Sequence, residues 1–156
     1  MQAKAPRAAM LVVIEYGASW PRWLAPSQVG DVAVVAQHYE GEPGSLITQV
    51  ASRVTKLEAM GWHLDFTVLV SNGRVDPAAC AARSVLARGL LARLKIGAKS
   101  QLVLAVDERA GSRAAHSLTA LAAALDGTGG AMLSVRIGDS APIYGRTPIP
   151  PVAKAS

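Results

Sequence analysis

The sequence lacks the short motifs that usually identify an enzyme or a cofactor-binding protein. It has no Gly-x-x-x-x-Gly-Lys phosphate loop, no Gly-x-Gly-x-x-Gly fingerprint after its first apolar run and no Gly-x-Ser-x-Gly elbow. Its single cysteine, Cys80, excludes an internal disulfide, and the three histidines have no metal-ligand spacing to it or to one another. These absences leave the catalytic residues unknown, predict no histidine or cysteine metal site, and favour a non-catalytic domain.

Long hydrophobic runs are also missing. No uncharged stretch approaches the ~20 residues that a bilayer-spanning helix needs. The apolar run that follows Arg7 meets Glu15 too early for the core of a secretory signal. Together with the lone cysteine, which suits a reducing compartment, this predicts a cytoplasmic protein with no membrane partner.

The basic charge is spread in a way that does not favour nucleic-acid binding. The formal net charge is +5, yet residues 8–138 hold 12 basic and 10 acidic residues. One basic cluster stands out in a stretch without acidic residues, and it comprises Arg83, Arg88, Arg93, Lys95 and Lys99. We interpret this cluster as the solvated face of a helix, with an acidic partner as the alternative.

Apolar runs and helical patterns alternate along the chain. Runs typical of buried strands lie at residues 9–14, 32–39, 66–70, 102–106 and 132–137. Helical patterns lie at about 45–60, 76–97 and 112–127. Ser45 is a natural cap of the first, Asp76 followed by Pro77 starts the second, and the third starts near Ser112. The alternation predicts an α/β fold: a three-layer sandwich with a mostly parallel five-stranded sheet and three main helices.

One domain accounts for most of the chain. We expect a flexible basic leader at residues 1–7, a single α/β domain at 8–138 and a proline-rich tail at 139–156. The connection from Tyr16 to Asp31 is unusual because it holds Trp20 and Trp23 between two apolar runs. Those tryptophans either cover a sheet edge or a dimer contact, or stack on a ligand. If the connection is a hairpin, the first strand pair is antiparallel.

Two turns that follow apolar runs carry the best candidate binding residues. In open α/β sheets, ligands bind where strand-to-helix turns meet, because helix amino ends present free N–H groups there. The predicted ligand-binding residues are Ser71, Asn72, Arg74, Arg109, Ser112 and Arg113, with Trp20 and Trp23 added from the long connection. The alternative is that they are ordinary turn and capping residues, with the arginines paired to Asp107 or Glu108.

Carboxylates also recur at strand ends. Four carboxylates end or follow an apolar run, namely Glu15, Glu40, Asp107 and Asp139, so parallel strands would bring several of them to one edge. Such a group could hold Mg²⁺ or act in acid–base chemistry. Acidic residues also simply end strands at the solvent.

The size and the alternation over residues 8–138 resemble the universal stress protein superfamily. The resemblance implies an adenine-nucleotide site in some members and dimerisation. Where that family has a glycine-rich phosphate motif after the fourth strand, this chain has only Gly111-Ser112. The long helix of the family after the first strand is replaced by the tryptophan–proline connection.

The sequence therefore predicts a non-catalytic module that binds a small anionic ligand or nucleotide and self-associates. The sequence predicts no specific cofactor, although a nucleotide fits the hypothesis. Two alternatives stay open. One is a metal-assisted enzyme that uses the strand-end carboxylates, and the other is an interaction domain that acts through the tryptophan connection, the basic helix or the proline-rich tail.

Overall fold

A computed structural model describes residues 7–19, 33–39, 43–94, 101–106, 109, 111–126 and 132–137. Five strands lie in this part of the chain: β1 (Arg7–Glu15), β2 (Ala33–Tyr39), β3 (Trp62–Ser71), β4 (Gln101–Val106) and β5 (Met132–Ile137). Three helices join the later strands: α1 (Pro43–Ala59), α2 (Pro77–Leu94) and α3 (Ser112–Leu125). The α/β class with a parallel sheet and three helices is confirmed.

The strands form one sheet in the order β2-β1-β3-β4-β5, and every neighbouring pair is parallel. The parallel pairing of β1 with β2 excludes the hairpin alternative for residues 16–31. A two-residue hairpin joins only antiparallel neighbours, whereas parallel strands need a crossover connection. Most of that connection, including Trp20 and Trp23, lies outside the described residues.

The strand order changes direction beside β1. The chain runs from β1 to β2 on one side and then crosses back to β3 on the other side. The carboxyl ends of β1 and β3 therefore flank a topological switch point, which is the usual ligand crevice of open parallel sheets. This edge of the sheet, where the strands end and α2 and α3 begin, is called the carboxyl rim below.

The three helices pack on one face of the sheet. Their connections all run in the same direction across the sheet, and right-handed crossovers place such helices together. Buried side chains of all three helices form one cluster with strand residues that the register places on a single face, namely Leu11, Val13, Leu69, Leu102, Leu104, Val106 and Val135. We call this the helix-covered face.

The opposite face of the sheet, called the second face, is equally dry. Its residues lie outside the helix cluster and are at most 2% exposed: Met10, Val12, Ile14, Val68, Val70, Val103 and Ala105. Burial on both faces explains why the strands are continuous apolar runs with little alternation.

The helix signals in the sequence correspond to the observed starts within two residues. α1 begins at Pro43, two residues before the expected cap Ser45, and buries Leu46, Val50 and Val54. α2 begins at Pro77 behind Asp76, whose Oδ1 accepts the N–H of Ala79 at 3.0 Å, as an N-cap does.

The start of the domain differs by one residue from the predicted one, and the other predicted boundaries lie at or beyond the edge of the described residues. β1 begins at Arg7, the last residue of the expected leader, and α2 ends at Leu94 before a stretch that is not described. The tail at 139–156 also lies outside the described residues. Among the described helices, none combines the length and the low polarity that a membrane span requires.

Candidate functional site

A buried ion pair stands at the carboxyl rim. Glu15, the last residue of β1, faces Arg83 of α2, and their side chains are only 7% and 3% exposed. Arg83 Nε donates to Glu15 Oε1 at 2.8 Å, and Arg83 Nη2 donates to Oε2 at 3.1 Å. This two-pronged geometry is the strongest form of a guanidinium–carboxylate contact.

The position of Arg83 corrects the prediction for the basic cluster. Arg83 does not belong to a solvated helix face, since it lies one and two helical turns before Leu86 and Leu90 on the buried side of α2. Arg88 is exposed as predicted. The side chain of Arg93, together with Lys95 and Lys99, lies outside the described part of the chain.

The ion pair also holds the turn between β3 and α2, residues 72–76, which we call the β3–α2 turn. Glu15 Oε2 accepts the backbone N–H of Asn72 at 3.0 Å, and Arg83 Nη2 donates to the carbonyl of Arg74 at 3.0 Å. The side-chain amide of Asn72 donates to the carbonyl of Tyr16 at 3.0 Å. The switch-point crevice between β1 and β3 is thus filled by groups of the protein.

Ser71 and Asn72, both predicted ligand residues, are engaged within the turn. The N–H of Gly73 donates to Ser71 Oγ at 3.1 Å, and the N–H of Arg74 donates to Asn72 Oδ1 at 3.0 Å. Gly73 has a φ of +82°, which favours glycine over other residues. Ser71 is 1% exposed, so its geometry supports the turn-residue alternative rather than direct ligand contact.

Arg74 lies at the surface and pairs with the helix cap. Its Nε and Nη2 are both 3.0 Å from Asp76 Oδ2, while Asp76 Oδ1 caps α2. The bond from the N–H of Ala79, aided by the charge of Arg74, lowers the pKa of Asp76 below its ordinary value. The amino end of α2 is therefore already occupied by the carboxylate of Asp76.

The start of α3 is different. Gly111 occupies the cap position with a φ of +86° and has no side chain to accept the first N–H groups of the helix. The first turn has no acidic residue, and Ser112 and Arg113 are exposed, as is Arg109 just before the helix. These three exposed residues and Gly111 are called the α3 start below.

The two predicted turns leave the sheet from adjacent strands. Ser71, at the end of β3, pairs in register with Val106, at the end of β4. Behind the rim, Cys80 Sγ lies 3.6 Å from Ser117 Oγ, which brings the first turn of α2 against the second turn of α3. Cys80 Sγ also contacts the carbonyl of Val75 at 3.5 Å, so this thiol has two contacts within the protein.

In this arrangement Glu15 is already engaged within the protein, which weakens the alternative of a metal-assisted enzyme that uses the strand-end carboxylates. Both oxygens of Glu15 already accept hydrogen bonds, from Arg83 and from Asn72. Glu40 and Asp107 lie outside the described residues, as does Glu108. Within the described ranges, no group of three histidine, cysteine or acidic side chains is arranged to hold a metal ion.

Sequence reasoning missed the role of Glu15 and Arg83. The signal was present for Arg83, because its spacing places it on the same stripe as the buried leucines of α2. Its partner could not be identified from the sequence, since 68 positions separate the two residues.

Comparison with known proteins found no relative of this chain. The chain matches no protein-family model, no curated protein and no solved structure. The likeness to the universal stress protein superfamily stays a prediction, and the functional argument rests on the geometry of the carboxyl rim.

Proposed function

We propose that this domain is a non-catalytic binding module that takes a small anionic ligand at the α3 start. The observation that carries the proposal is the contrast between two neighbouring helix starts at the carboxyl rim. α2 is capped by Asp76, whereas α3 begins at a glycine with no acidic residue in its first turn.

The physical basis is the charge at a helix amino end. The first N–H groups of a helix have no partner within the helix, and the aligned peptide dipoles place about half a positive charge there. A phosphate or carboxylate fits this environment with no other special feature. Ser112 adds a hydroxyl at the same place, and Arg109 and Arg113 add two positive charges.

We propose that Arg74 also contributes to the site, because its turn leaves the sheet from the strand next to β4. Its pair with Asp76 is exposed, and water weakens ion pairs at the surface, so a stronger anion can compete for the guanidinium. Ser71 and Asn72 then act indirectly, by shaping the turn that carries Arg74. Trp20 and Trp23 remain predicted ligand contacts in a part of the chain that is not described.

The ligand class follows from the same charges. Three arginines around a helix start suit a phosphate group or a di- or tricarboxylate, and a nucleotide is the candidate that the family resemblance adds. The domain needs no metal for such binding. We keep self-association and a cytoplasmic location as parts of the proposal, and a nucleic-acid partner is not part of it.

We also propose that the fold has a third layer over the second face of the sheet. The support is the dryness of that face, which none of the three helices covers. The full arrangement is then the three-layer sandwich that the sequence predicts.

Calorimetric titration with inorganic phosphate, ATP and citrate tests the binding proposal. Replacing Arg109 and Arg113 together by glutamine should weaken binding by about tenfold or more per arginine, because a hydrogen bond to a charged group contributes about 1.5–3 kcal/mol. The matched control is Arg88→Gln, which removes an exposed arginine from the middle of α2.

Each outcome of the titration either supports or refutes the proposed site. Binding of one of these anions that is lost in the double variant and kept in the control supports the α3 start as the site. No heat with any of the three at millimolar concentration refutes the proposal. Sedimentation velocity in the same buffers reports self-association, and a monomer at every protein concentration would remove that part.

A further inference from the structure

The buried pair of Glu15 and Arg83 connects three separate parts of the rim. Glu15 belongs to the end of β1, Arg83 belongs to the second turn of α2, and both hold the backbone of the β3–α2 turn between them. The additional bonds to Asn72 and Arg74 satisfy further polar atoms of the pair, and both of them attach the pair to the backbone of this turn.

We infer that Glu15 and Arg83 form a conformational lock, which sets the shape of the β3–α2 turn and keeps the switch-point crevice closed without a ligand. The pair is nearly dry, so water does not compete for its bonds. Both oxygens of the carboxylate and two nitrogens of the guanidinium are used. Glu15 and Arg83 are positioning residues, and the lock exists whether or not an anion binds at α3.

Among the described residues, the other bonds of the turn are mostly local, and one reaches from the side-chain amide of Asn72 to the carbonyl of Tyr16. The N–H groups of Gly73 and Arg74 are accepted by side chains of the turn or of Ser71 beside it, and Arg74 is exposed. No strand ladder includes residues 72–76. With the lock removed, these local bonds should open more often while the sheet remains intact.

Hydrogen exchange of single amides tests this inference on the ligand-free protein. The informative amides are those of Gly73 and Arg74, because the lock variants leave their own acceptors in place. Amides of Val103 and Leu104 in the centre of β4 report global unfolding. Three variants are compared with the wild type: Arg83→Met, Glu15→Met together with Arg83→Met, and the exposed control Arg88→Met.

In Arg83→Met, we expect the amides of Gly73 and Arg74 to exchange about tenfold faster relative to those of β4. Replacing both charges by apolar side chains should recover thermal stability, since buried pairs exchange well for apolar groups of similar size. The turn should nevertheless exchange fast in that double variant. The control should match the wild type.

Two results would overturn the lock. One is an equal change at the turn and at β4, which means that the pair contributes only to global stability. The other is a double variant whose turn amides are as protected as in the wild type. If Arg83→Met fails to fold, the exchange rates of the turn amides in the double variant alone test the inference, because that variant leaves no buried charge unpaired.

Discussion

At the scale of single residues, the carboxyl rim shows how much a local pattern can and cannot reveal. Asp76 followed by Pro77 predicts a capped helix start, and the bond from the N–H of Ala79 confirms it. Arg83 has the same chemistry as the exposed Arg88 five positions later, yet it is buried. Its spacing to the buried leucines of α2 and the distant carboxylate of Glu15 distinguish it from Arg88.

The cap predicts a pH dependence of stability. The pKa of Asp76 is lowered by the N–H of Ala79 and by Arg74, so its folded-state value lies below the unfolded one. Its stabilising contribution is therefore complete above the ordinary aspartate pKa of 3.8, and it is lost as the pH falls through the depressed folded-state value.

Thermal melts of Asp76→Ala and the wild type between neutral and acidic pH check this dependence. The variant should melt at a lower temperature at neutral pH, and the difference should shrink once the pH falls below about 4. Asp76→Asn keeps a capping oxygen without the charge, so it should lie between the two at neutral pH. A difference that is unchanged down to the lowest pH would contradict the assigned cause.

At the scale of elements, the packing of α1 against α2 depends on a residue without a side chain. A Cβ at Gly89 would lie 2.7 Å from Cγ1 and 3.2 Å from Cγ2 of Ile47. Glycine is otherwise a poor helix residue, about 1 kcal/mol worse than alanine. Its presence in the middle of α2 is explained by this close approach of the two helices.

Two opposing effects decide the outcome of Gly89→Ala. Better helix propensity contributes about 1 kcal/mol, while forcing a carbon into a packed interface costs about 1–3 kcal/mol. We expect a net loss of up to about 2 kcal/mol in the free energy of unfolding, measured by urea denaturation. In an Ile47→Ala background, the same substitution should become stabilising, and a destabilising effect there would contradict the steric explanation.

At the scale of the whole molecule, the strand order determines where a ligand can bind. The order β2-β1-β3-β4-β5 puts the switch point between β1 and β3, and the pair of Glu15 and Arg83 fills that place. The neighbouring gap, where β3 and β4 end side by side, leads to the start of α3, whose cap position is held by Gly111. The proposed site is therefore one strand away from the usual crevice.

The proposed third layer gives a matched pair of substitutions. Val12 and Val13 are adjacent in β1 and fully buried, but they face opposite sides of the sheet. Each change to alanine removes two carbons, which costs about 1.6 kcal/mol plus a term for the cavity. We expect losses of similar size in urea denaturation. A nearly neutral Val12→Ala beside a costly Val13→Ala would argue against a packed second face.

Much of the fold could be predicted from local patterns, and the candidate site only in part. The apolar runs and capping residues indicate the strands and helices because their signals lie within a few neighbouring residues. The turn residues Ser71, Asn72 and Arg74 were predicted at the correct edge of the sheet. Their use by the protein itself was not, because it depends on partners such as Tyr16 and Glu15.

The sequence by itself determined the alternation of elements, the starts of the helices within two residues and the edge of the sheet where polar groups gather, since each follows from local composition. The tertiary structure alone decided the parallel pairing of β1 with β2, the partner of Arg83 and the filling of the switch point. These outcomes depend on contacts between residues far apart in the chain, and the free energy of burying a charge is known only once its partner is in place.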